Sequence, residues 1–215
     1  ATHGQGTPKS GGSRINYYGN TNSYIVSQSY SVVGNQYGEF GHDGGNGSDI
    51  GGGTPGGGGG GGAGSIGNTN GTGGIGKEYD ITGSLITYST GGNSTGSPTN
   101  SNNGSGDGGD SEKSGGDGVV IIRFAEYLKN TLNIPKATGG IISYYTLSNV
   151  NYCIHTFLDS GSFIPESSLQ IDYLIVAGGG SGGSGGDQTH EGAGGGAGGL
   201  TYVSNQPVIE GTTYN

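Results

Sequence analysis

The chain has 215 residues, 55 of them glycine, and a formal net charge of −9. The acidic balance, with seven Lys and Arg residues that form no cluster, argues against nucleic acid as a partner, and no apolar run reaches the length of a membrane span. The single cysteine, Cys153, excludes an intrachain disulfide framework and reads as a buried structural thiol.

Leu, Ile, Val and Phe together number 38, a share typical of disordered chains. Their distribution points the other way. Residues 119–177 hold 22 of the 38 and only three glycines, Gly139, Gly140 and Gly161. The chain is therefore a block copolymer, one β-rich segment between two glycine-rich flanks. Gly does not recur every third residue, so there is no collagen period.

Residue 1 is Ala within Gly/Ser/Thr-rich text, and the expectation is a segment of a longer or processed protein. Residues 1–40 mix Gly, Ser and Asn with Tyr and carry short strand-like pieces at 14–18, 23–33 and 36–40. Residues 41–76 include the unbroken glycine run 56–62. Such a run is either a flexible linker or one of several extended, polyproline-II-like tracts packed side by side. Ordering glycine costs more backbone entropy than ordering any other residue, so a lone tract would not hold. Three tracts occur, at 41–76, 91–118 and 178–199, and the number favours packing.

Residues 77–90 read as a hairpin with strands at 79–81 and 85–88 and a turn at Thr82-Gly83-Ser84. Val119–Phe124 is a buried strand. Leu128 and Leu132, spaced i,i+4 before Pro135, predict a short helix within 125–137. Strands follow at 141–145, 151–158, 163–165 and 171–177, with turns at 148–149 and 159–162. Further strands are expected at 200–204 and 207–209, with a turn at Glu210-Gly211 and a last strand over 212–215. Regular strand spacing with turn chemistry between is an all-β signature.

Two junctions between strand and glycine organise this text. In one, the strand Tyr173, Leu174, Ile175, Val176 and Ala177 runs into glycine. In the other, a glycine tract ends in Val119, Val120, Ile121, Ile122, Arg123 and Phe124. Residues 157–215 resemble the opening of the glycine-rich domains of phage tail fibres, adhesins and large bacterial surface proteins, with the strand DYLIVAGGG, then GAGGGAGG, then PVIEGTTY. Residues 115–124, GGDGVVIIRF, resemble the closing motif of the same domains.

The closing motif comes first here. The resemblance therefore implies the latter part of one copy over 1–124, a connector of short helix or strands over 125–155, and the opening of the next copy over 156–215. It implies an all-β fold of short antiparallel strands with packed glycine tracts, completed head-to-tail between copies. On that reading Tyr173, Leu174, Ile175, Val176, Val119, Val120, Ile121 and Ile122 are contact strands between copies.

No catalytic pattern is present, and no enzyme is expected: HExxH, CxxC, GxSxG and P-loop motifs are all missing from the sequence. His3, His42, His155 and His190 lack a second ligand type at metal spacing. Residues 44–49 match the first letters of a calcium-binding nonapeptide, in a single copy with no parallel stack to share an ion. Asp107, Asp110 and Asp117 read as solvated acids rather than Ca2+ ligands, and no cofactor is expected. Sequons stand at Asn46, Asn70, Asn93 and Asn103 in tracts expected to face solvent, which makes them candidate N-glycosylation sites.

The functional expectation is an extracellular structural protein on a cell or virion surface, the repeating unit of a fibre whose partner is a further copy of itself, by strand complementation or as covalent tandem repeats. The alternative is a receptor-binding adhesin of phage tail-fibre type, with the Tyr-rich residues 14–40 meeting a cell-surface glycan.

Overall fold

The computed structural model describes residues 41–47, 56–94, 104, 115–126, 136–183 and 192–215. The strand pieces expected within 1–40 lie outside the described residues, as do 127–135 of the expected helix. Residues 125 and 126 of that stretch belong to a strand, and no helix occurs among the described residues. The fold is all-β, built from short antiparallel strands.

The strands in chain order are β1 Lys77–Tyr79, β2 Ile86–Tyr88, β3 Val119–Glu126, β4 Ala137–Thr138, β5 Ile141–Leu147, β6 Val150–Phe157, β7 Ile164–Pro165, β8 Leu169–Val176 and β9 Leu200–Val208. A five-stranded sheet has the order β5-β6-β3-β8-β9, and the pairs β1-β2 and β4-β7 flank it. β5 and β6 turn on Ser148 and Asn149, both at positive φ (51° and 63°), as a two-residue hairpin turn with the twist of its strands requires.

β3 is central. Its side chains alternate between two faces, and both are covered. On one face Val119, Ile121, Ile154, Leu174, Val176 and Leu200 pack with Ile81 and Tyr88 of the β1-β2 hairpin and with Ala63 of the glycine region. On the other, Ile122, Phe124, Cys153, Ile171 and Val208 pack under Ala137 and Phe163. The first hairpin strand lies two residues earlier than the predicted 79–81 and the second is one residue shorter than the predicted 85–88; Ile81 stands outside the ladder, fully buried in the first cluster.

The contact predicted between copies is made inside one chain. Val119 lies opposite Val176, Val120 opposite Ile175, Ile121 opposite Leu174 and Ile122 opposite Tyr173. The cause is the segment read as a connector. β5 and β6 double back through it and add to the free side of β3, returning the chain so that β8 runs antiparallel to β3. These eight residues are thus interior to the sheet and give no open edge.

The described residues of the glycine tracts are packed, as the sequence predicts. Residues 57–62 form the axis of the layer. A Cβ on Gly57 or Gly60 would overlap the carbonyl oxygen of Gly192 or Gly195. On Gly58 or Gly61 it would overlap that of Gly45 or His42, and on Gly59 or Gly62 that of Thr72 or Ile75. The hydrogen bonds step in the same threes. Gly60 and Ala63 donate to the carbonyls of Gly92 and Ser89, both at 2.8 Å. Gly58 and Gly61 accept from Gly194 and Ala197, both at 2.9 Å. Gly59 and Gly62 accept from Gly45 and His42 at 2.8 and 2.9 Å. A three-residue period with bonds made to neighbouring segments at Gly58 to Gly61 is the pattern of packed polyproline-II strands.

The sheet flows into this layer without a break. Past Val176, Ala177 donates to Gly199, Gly179 to Gly116 and Gly180 to Gly196, each at 2.8 Å. β8 therefore keeps its two neighbouring segments as it changes from strand to lattice. Gly60→Ala places a methyl against backbone on the axis and is expected to cost at least about 3 kcal/mol. Gly196→Ala, with nothing within 4 Å of the added carbon, should stay within about 0.5 kcal/mol of wild type. Urea denaturation of the two variants checks the contrast.

Candidate assembly surface

A sheet interacts through its edges, and the two here differ. β9 is the edge beside β8. Ile171 lies opposite Gln206 and Tyr173 opposite Val203, so Ser204 and Asn205 both face Asp172. This is a β-bulge, with Asn205 at φ 54° and its N–H donated to Asp172 Oδ1 at 3.0 Å. Pro207 also removes a donor from this edge. A bulge and a proline are devices that blunt an edge against further pairing.

β5 has neither. It pairs with β6 through seven consecutive residues in unbroken register. Its outer side carries no strand among the described residues. Ile141, Ile142, Tyr144 and Leu147 are exposed, at 61, 36, 41 and 50%. No Asp, Glu, Lys or Arg occurs from 137 to 158. Sequence reasoning placed these residues in a connector, but that charge-free run is a readable signal of an unprotected edge.

Arg123 ties the sheet to the β1-β2 hairpin. Its Nε and Nη2 donate to Asp172 Oδ2 at 3.1 and 2.7 Å, and Nη1 donates to the Tyr145 hydroxyl at 3.0 Å. Nη1 also lies 3.5 Å from Asp80 Oδ1 in the hairpin turn, and the guanidinium sits 5.4 Å from the Tyr152 ring centroid. Burial alone would lower its pKa, but the bonds to Asp172 and Tyr145 outweigh it and hold the charge more firmly than usual. Asp172 thus serves both the clamp and the bulge.

On the opposite face, His155 and Cys153 are fully buried two residues apart on β6. His155 Nδ1 lies 2.7 Å from the Gly139 carbonyl, so Nδ1 carries the proton. Nε2 then accepts from the Cys153 thiol, 3.5 Å away. Burial depresses the imidazole pKa, partly opposed by the bond to Gly139. Burial, then nearby Glu126, pushes the thiol to about 11. A neutral imidazole and a protonated thiol between Phe124 and Phe163 form core packing rather than a nucleophile–base pair.

Of the sequons, Asn46, Asn70 and Asn93 are exposed and Asn103 lies outside the described residues. Asn70 Oδ1 accepts from the Thr72 N–H at 3.1 Å, and Asn93 Oδ1 from the Gly73 N–H at 2.8 Å, so both lie beside residues 72–73. Asp117 is exposed, while Asp107 and Asp110 lie outside the described residues, as do His3 and His190. Among the described residues no group of three or more His, Cys, Asp or Glu could hold a metal ion, and no helix is long and apolar enough to cross a membrane.

A family described as a glycine-rich domain matches residues 158–215. That segment holds β7, β8, β9 and two lattice tracts, so the match falls on the junction between strand and glycine. No curated protein and no solved structure matches the chain.

Arg123→Met should destabilise the fold by about 3 kcal/mol, because it leaves Asp172 half-buried without its cation. Combining it with Asp172→Leu should cost at least about 1 kcal/mol less than the sum of the single losses. Denaturant midpoints of the four proteins check the coupling.

Proposed function

We propose that this chain is an extracellular structural protein, the repeating unit of a fibre that grows by contact between copies. The observation that carries the reading is the inequality of the two sheet edges, one blunted by the Asp172–Asn205 bulge and Pro207, the other a seven-residue neutral strand. A unit that protects one edge and leaves the other open joins copies by unlike surfaces. Unlike contacts that do not close a ring give filaments.

The glycine layer suits this role. It is held by backbone bonds in several directions at once, and load on one tract is shared with its neighbours. Asn70 and Asn93, exposed beside that layer, are where a glycan would project from such a fibre. The clustering of apolar exposure on β5 and the resemblance of the strand–glycine junctions to tail-fibre and adhesin domains are compatible with a second reading, a receptor-binding adhesin. Electron microscopy of the purified full chain separates the two. The fibre reading expects long filaments with an axial repeat of one unit. Monomers or compact trimers that bind cells would replace it with the adhesin.

A further inference from the structure

We infer that the open edge of β5 receives the stretch 23–33 of a second copy as an added antiparallel strand. This rests on the fibre reading and names its joint. The acceptor is described by the structure. Ile141–Leu147 is an outer strand in regular register, exposed and apolar at Ile141, Ile142, Tyr144 and Leu147, without the charge, proline or bulge that protects a solvent edge.

The donor is identified by its sequence. Forty residues precede Gly41, the first described residue, and they include SYIVSQSYSVV at 23–33. There Tyr24, Val26, Tyr30 and Val32 alternate with Ile25, Ser27, Ser29, Ser31 and Val33, giving one large-residue face and one mostly small face. No Asp, Glu, Lys or Arg occurs between Arg14 and Glu39, so the stretch brings no charge to a neutral edge. Its eleven residues exceed the seven of β5, so it can cover the whole edge. Main-chain bonds supply the affinity in such strand addition, and the alternating side chains supply its register. Donor and acceptor are different surfaces, so each copy donates once and accepts once, and the array stays open at both ends.

The test uses the full chain in three forms. An edge-blocked variant carries Ile142→Lys and Tyr144→Lys, and a donor-blocked variant carries Val26→Pro and Tyr30→Pro. Each, checked for a native circular-dichroism spectrum, should fail to form fibres alone. Mixed, they should form a one-to-one dimer, because one retains the donor and the other the acceptor. A synthetic peptide of residues 21–35 should shorten wild-type fibres by capping free edges, a readout that needs no variant to fold. Fibres that persist with the donor-blocked chain, or a mixture that gives no dimer, overturn the assignment and leave the fibre reading standing. A wild-type chain that stays monomeric removes the fibre reading and this joint with it.

Discussion

The structure depends on backbone meeting backbone with no side chain between. In an ordinary sheet the strands bond sideways at about 4.8 Å, and the next layer stands about 10 Å away because side chains fill the gap. At Gly57 to Gly62 the gap is gone, and carbonyls from three other segments occupy the places where Cβ atoms would be. Gly59 then bonds to both Gly45 and Asn68, and Gly60 to both Gly92 and Gly74, so a single glycine joins two neighbouring segments. Ordering its backbone costs about 1–2 kcal/mol, and a net hydrogen bond returns about 0.5–1.5 kcal/mol. Those terms nearly cancel, so the lattice needs an apolar anchor. Ala63, Val119, Val176 and Leu200, all buried where the lattice meets the sheet, supply it.

The sheet and the lattice are therefore one body with two chemistries. β3, β8 and β9 enter the glycine layer as 115–118, 178–183 and 192–199 while keeping the same neighbours. Arg123 performs the corresponding task at the far side of that face, drawing Asp172, Tyr145 and the Asp80 turn onto one cation. With both faces of β3 covered and the β9 side bulged, the five-stranded sheet keeps one regular open edge among the described residues, that of β5. The proposed assembly role rests on that open edge rather than on any cluster of reactive side chains.

Much of this was legible from local text. Turn residues bracketed the 77–90 hairpin and the strands at 119–124 and 171–177, and the count of glycine tracts pointed to packing. The pairing was not legible. The order of the closing and opening motifs suggested contact between copies, whereas the β5-β6 hairpin turns the chain so that β8 pairs with β3 within it. That hairpin lies between the two motif matches, so its strands read as part of a connector until their partner β3 is known. Arg123 looked like the tail of a motif because its partners come from three segments distant in sequence. The bulge at Asp172 depends on register, which no local pattern encodes.

The central claim is that the glycine layer is folded structure continuous with the sheet. Amide hydrogen exchange on the full chain tests it most directly. The N–H groups of Gly60, Gly92 and Gly194, bonded to the carbonyls of Gly92, Gly195 and Gly58, should be protected to the same degree as that of Ile121 in the central strand, and should lose protection with it as denaturant is added. Exchange of these glycines at the rate of an unfolded peptide, beside a protected Ile121, would contradict the account.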